Sequence, residues 1–137
     1  MSTTIRPELS EKNKYWIERH RYYELKHFCL QYPIWRRARA SIDGMAKRPM
    51  EVVIFSGTVG SPTERAAAAR EFYTERMQMV EDCTDETDSD LASYILKAVT
   101  EGLSYEHLCT RIGIPCCRDT YYEMYRRFFW LLNKARK

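Results

Sequence analysis

The sequence predicts a mainly α protein of five to six helices that ends in a C-terminal helix-turn-helix. Three observations carry that expectation. Apolar residues recur at helical spacing through most of the 137 residues. Start and stop signals separate those stretches: Ser61-Pro62, Gly102, Ser104 and Gly113-Ile114-Pro115. Only Val52 to Phe55 reads as a strand, and with no obvious partner it is expected to be an extended connection or, at most, a small ribbon.

Residues 1–48 form a basic helical pair behind a loose arm that ends near Glu11. From Lys12 to Gln31 the residues Tyr15, Tyr22, Leu25, Cys29 and Tyr32 share one stripe, with Arg19, Arg21, Lys26 and His27 on other sides. Pro33 is tolerated in the first turn of a second helix reaching Met45. Ile34, Ala38 and Ile42 are expected inward there, and Arg36, Arg37 and Arg39 outward. Residues 49–61 are the connection, and 62–137 a helical domain whose helix-turn-helix spans 104–134.

Ser61, Pro62 and Glu64 make a strong helix start. The helix is expected to run to about Asp82, with Phe72, Met77 and Val80 on its buried side and a spacing that suits an antiparallel partner or a dimer seam. Glu81 to Asp90 holds six acids and no base, which reads as a solvated hinge with Thr87 or Asp88 capping the next helix. An EF-hand needs a central Gly that this stretch lacks. Asp88 to Glu101 places Leu91, Tyr94, Ile95, Ala98 and Val99 on one face. Gly102 closes that helix, and Ser104 caps a short one with Tyr105, Leu108, Cys109 and Ile112 inward. Gly113 stops it, Ile114-Pro115 turns the chain, and a long helix begins near Cys116. Its apolar rows are Tyr122, Tyr125, Phe129, Leu132 and Tyr121, Met124, Phe128, Leu131, so it is central to packing.

Charge is divided unevenly: +6 over residues 1–48, −7 over 49–114 and +4 over 115–137. Basic ends around an acidic middle suit a phosphate-facing surface shared by the two ends, although solvated helix faces carry charge for no such reason. Five cysteines with no CxxC spacing argue against a disulfide framework and a zinc site, and no metal or cofactor is expected. His20 and His27 are too far apart on a helix for a metal pair, and no phosphate loop, nucleophile elbow or paired-carboxylate motif occurs. An enzyme is therefore not expected. The lack of a long apolar run points to a cytoplasmic protein with no membrane partner.

The segment Thr100 to Lys134 resembles the C-terminal part of phage late-gene transcription activators of the RinA/ArpU type. Gly102 and Tyr105, Gly113-Ile114, Thr120-Tyr121-Tyr122 and Arg126-Arg127-Phe128-Phe129 carry the resemblance, which covers about the last third of the chain. That family's helix-turn-helix is similar to the promoter-reading module of sigma factors. The resemblance implies a sequence-specific double-stranded DNA-binding regulator of phage or prophage origin in a bacterial cytoplasm, expected to act as a homo-oligomer with RNA polymerase or another protein as a further partner. The front of a docked second helix enters the major groove, which makes Arg118, Asp119, Thr120, Tyr121 and Glu123 the candidate base contacts. Arg126, Arg127, Lys134 and Ser104 are the candidate phosphate contacts. Trp130, alone on a polar face, marks a surface for another helix or a partner. The alternative is a protein-binding role: an acidic DNA mimic that inhibits a host or defence nuclease, or a small DNA-packaging subunit.

Overall fold

Among the described helices the C-terminal one contributes the most buried residues to the core. The computed structural model describes residues 13–46 and 61–136, and these are mainly helical, with no strand among them. The expected arm up to Glu11 and the strand-like run Val52 to Phe55 lie outside the described residues. In chain order the elements are α1 (Arg19–Leu30), α2 (Tyr32–Ala46), α3 (Pro62–Thr87), α4 (Ala92–Glu101), α5 (Tyr105–His107) and α6 (Arg118–Ala135). α5 runs directly into a π-helical turn, Leu108–Ile112.

α1 starts later than the stripe from Lys12 suggests, because the Glu18 side chain caps it. That carboxylate accepts from the amides of His20 (2.9 Å) and Arg21 (3.1 Å), and these amide bonds hold its pKa below the ordinary value. The non-helical residues ahead of it still deliver Tyr15 and Ile17 to the interior. The stripe Tyr15, Tyr22, Leu25, Cys29 and Tyr32 is buried as the periodicity requires.

α2 is turned relative to expectation. Trp35, not Ile34, is its buried anchor: Ile34 is 54% exposed and Trp35 only 4%, its ring 4.8 Å from that of Phe28. Both residues are apolar neighbours, so the pattern alone could not fix the phase, and the larger ring takes the interior.

Ser61 caps α3 by accepting from the Glu64 amide at 3.1 Å, with Pro62 in the first turn. The acidic stretch is not a hinge. α3 continues through it to Thr87, and Cys83, Thr84 and Thr87 are buried. Both threonines donate to carbonyls one turn back, Thr84 to Glu81 at 2.6 Å and Thr87 to Cys83 at 2.7 Å, which lets hydroxyls enter a core. Asp82, Asp85 and Glu86 are exposed on this continuous helix, whereas Glu81 is half-buried and accepts from the Tyr32 hydroxyl at 2.6 Å. Phe72 is a further correction, since it is 44% exposed while Met77 and Val80 are buried. Asp88 does set up the next helix: its carboxylate accepts from the amides of Asp90 (2.8 Å) and Leu91 (3.1 Å).

One core joins α1, α2, α3, α4 and α6, with Leu108 and Ile114 sealing it from the α5 side. Both expected rows of α6 are present, with Tyr121, Tyr122, Tyr125, Phe128, Phe129 and Leu132 buried. An aromatic seam links α6 to α1, Tyr22 packing edge-on to Phe129 at 5.1 Å and to Tyr125 at 6.4 Å. At full burial each such side chain contributes roughly 1.5–3 kcal/mol, so the seam is a main source of stability. None of the described helices is long and apolar enough to cross a membrane.

Candidate nucleic-acid interface

The front of α6 is positioned by a short, heavily specified corner. Gly102 closes α4 at φ 70°, a left-handed conformation that disfavours any Cβ. The Ser104 hydroxyl then caps α5 by accepting from the His107 amide at 3.2 Å. The π turn widens the last helical turn, the Gly113 amide donating back to the Leu108 carbonyl at 2.7 Å. Gly113, at φ 74°, reverses the chain, and Ile114 is buried just beyond. Finally the Tyr105 hydroxyl donates to the Cys116 carbonyl at 2.6 Å, while its ring lies 5.4 Å from Tyr121. The corner thus fixes α5 against the start of α6. Cys109 departs from expectation by facing solvent, because the π turn shifts the phase after Leu108.

At the start of α6, Asp119, Thr120 and Glu123 are exposed, as is Arg118. Arg118 is not idle. Its guanidinium lies 2.5 Å from the Glu106 carboxylate and 5.1 Å from the Tyr105 ring. The pair raises the Arg118 pKa; Glu106 is lowered first by its own backbone amide and then by Arg118. Two side chains about half exposed form a weak bond in water, so Arg118 can exchange this partner for another at little cost.

Tyr121 is a correction. It is 2% exposed, enclosed by Tyr105, Tyr122 and Tyr125, and burial pushes its phenol pKa up. A residue two positions after an exposed Asp119 falls on the core side of the helix, so this ring belongs to the packing and not to an outer contact.

The candidate phosphate contacts divide. Lys134 is exposed, its ammonium 3.4 Å from the Trp130 ring centroid. Arg126 and Arg127 are half-buried, and their Nε atoms are buried with no hydrogen-bond partner among the described residues. Arg127 donates to the Glu86 carbonyl at 3.4 Å, which ties it to the end of α3. Ser104 is exposed but spends its oxygen on the α5 cap. Trp130 is half-buried because Tyr15 packs edge-on to it at 5.5 Å, so the contact foreshadowed by a Trp on a polar face is made inside the chain.

The two basic ends of the sequence do meet, but at the far end of α6. Arg21 donates to the Asn133 carboxamide at 2.7 Å and to the Arg136 carbonyl. The basic start of α1 therefore lies against Asn133 and Arg136 and not the α6 front. Lys26 comes closer to that front, at a cavity of about 190 Å³ whose walls include Tyr105, Tyr121, Tyr122 and Tyr125. Sequence reading missed this cavity, since its walls come from four separate helices. Cys117, the residue before α6, has its thiol pKa lowered by the hydrogen bond to the Thr120 hydroxyl (3.2 Å) and by backbone amides at the helix start. Among the described residues no His, Cys, Asp and Glu group has the geometry to hold a metal ion.

No protein-family model, curated protein or solved structure matches this chain.

Proposed function

We propose that the protein is a sequence-selective double-stranded DNA-binding regulator that places the front of α6 in the major groove, in the manner of the phage late-gene activators its last third resembles. One observation carries the reading. A short capped helix, a left-handed glycine turn and a long helix leave Arg118, Asp119, Thr120 and Glu123 open at the start of α6 while its other side anchors the core. Arg118 leaves Glu106 to meet the two acceptors of a guanine, and Thr120 supplies a hydroxyl and a methyl for a neighbouring base. Tyr121 serves as the anchor behind them. Lys134 and Arg126 meet phosphate, giving a binding constant that falls with a log–log salt slope of roughly −2 per chain.

Selection of bound sequences from a random duplex pool tests this, followed by titration of the best site against salt. An enriched sequence is expected. Arg118→Ala and Thr120→Ala should each lower preference for the selected site by about 1–3 kcal/mol and leave the fold intact. A pool with no enrichment would remove the DNA reading and favour a protein-binding role.

A further inference from the structure

We propose that the protein self-associates through α3, two copies pairing antiparallel along the face that carries Ala68, Phe72 and Met79. α3 has 26 residues, hence a length of about 39 Å at 1.5 Å per residue. Among the described residues its own chain covers one side of it, where Met77, Val80, Cys83, Thr84 and Thr87 are buried. On that side α2 runs along much of its length, Asp43 meeting Arg70 at 2.7 Å and Tyr32 donating to Glu81 at 2.6 Å, and α4 and α6 pack against it as well. On the outer side Arg65, Ala68, Phe72, Glu75, Met79 and Asp82 follow at alternating steps of three and four, the spacing of a helix-pairing seam. All of these are exposed except Met79, which is half-buried and packs in part against the core. Phe72 is the most telling, a large ring 44% exposed with the Arg76 guanidinium 3.4 Å from its centroid. Towards its C-terminal end this side opens into a groove of about 690 Å³ with Met79, Leu131 and Ala135 among its walls.

Charge selects the occupant. Glu81, Asp82, Asp85 and Glu86 crowd the C-terminal half of α3, and its last turn has no base, an arrangement the helix dipole opposes within one chain. The bases of α3, Arg65, Arg70 and Arg76, all lie in its first two-thirds. A parallel pair would set Glu75 on Glu75 and Asp82 on Asp82. In an antiparallel pair a single register brings Arg65 opposite Asp82 of the second copy, Ala68 opposite Met79, and Phe72 over the methylenes of Glu75. The same register lays the positive N-terminal end of α3 against Asp85 and Glu86 of the second copy. A second copy thus supplies apolar cover for Phe72 and adds countercharge to an acidic half that Lys134 and Arg127 of its own chain already approach. The pairing does not depend on the DNA reading and is tested without DNA.

Sedimentation equilibrium of the full chain over a wide concentration range should show a monomer–dimer equilibrium. Phe72→Asp should weaken self-association at least about 100-fold while far-UV circular dichroism stays that of the parent, because the ring is already exposed in one copy. Register is tested with Ala68→Cys and Met79→Cys together, in a chain whose exposed thiols are removed by Cys109→Ser, Cys116→Ser and Cys117→Ser. Diamide oxidation, which takes two electrons and two protons from each thiol pair, should link two chains; the chain with Ala68→Cys alone should stay unlinked. A chain that sediments as a monomer throughout overturns the proposal. So does a dimer indifferent to Phe72→Asp, or one that the cysteine pair fails to capture.

Discussion

Replacing Tyr22 with Phe removes one oxygen from the seam between α1 and α6, and its effect can be worked from the structure. The Tyr22 and Tyr125 hydroxyls lie 2.6 Å apart and both rings are buried. In this pair Tyr125 finds its hydrogen-bond partner in Tyr22, and burial followed by that neighbour raises its pKa well above the ordinary phenol value. With Tyr22→Phe the hydroxyl of the buried Tyr125 loses that partner. Desolvation of such a group costs about 1–3 kcal/mol, while the lost oxygen leaves almost no cavity. For 137 residues, 1 kcal/mol corresponds to roughly 3–4 °C in Tm, so a fall of about 4–10 °C is expected. The double change Tyr22→Phe with Tyr125→Phe removes both polar groups from a ring contact that persists, and should recover a good part of the loss. Urea unfolding followed by circular dichroism gives the four free energies of the cycle. The two substitutions should couple by at least about 1 kcal/mol. Additive losses, or a neutral Tyr22→Phe, would refute the account of the seam as a mutually satisfied pair.

Two glycines should respond to alanine in opposite directions. Gly113→Ala forces a Cβ onto a residue at φ 74°, where nothing lies within 4 Å, so the cost is backbone strain of about 1–2 kcal/mol and a lower melting temperature. Gly44→Ala, within α2 and also with open space, should stabilise by about 0.5–1 kcal/mol; both are read from thermal melts. Alkaline pH should unfold the protein. Burial and the hydrogen bond to Glu81 push the Tyr32 phenol up to about 12, and Tyr121 and Tyr125 are raised as well. Folded values above the unfolded value mean full stability below about pH 10, lost as pH climbs towards the folded values, since the unfolded chain releases protons the folded one keeps. Phenolate absorbance should therefore rise in two stages, the second coinciding with loss of circular dichroism.

What could be read from the sequence was local or strongly periodic. The Ser61 and Ser104 caps and the Gly102 and Gly113 stops each depend on a few neighbouring residues, and the wide apolar face of α6 repeats over many turns. What escaped was decided elsewhere in space. Ile34 and Trp35 are equivalent to a pattern, and Phe28 chooses between them. Glu81 to Thr87 reads as solvated by composition, yet Cys83, Thr84 and Thr87 find a floor to rest on. At the interface the exposed front could be foreseen, but the inward ring of Tyr121 and the Arg118–Glu106 pair could not. A candidate contact named for its place near a helix start must still be sorted by which side of the helix it occupies, and here one residue in the run is on the wrong side.

α6 has two employers: its inner rows belong to a core shared with four other helices, and its narrow outer strip is what a duplex would meet on the proposed reading. A library that randomised the whole helix would spend nearly all its members on chains that never fold. One confined to positions 118, 119, 120 and 123 would leave the inner rows untouched and keep the scaffold constant. On the proposed reading, new recognition is a matter of four codons, and variants selected for new sites should differ there before they differ at any ring behind them.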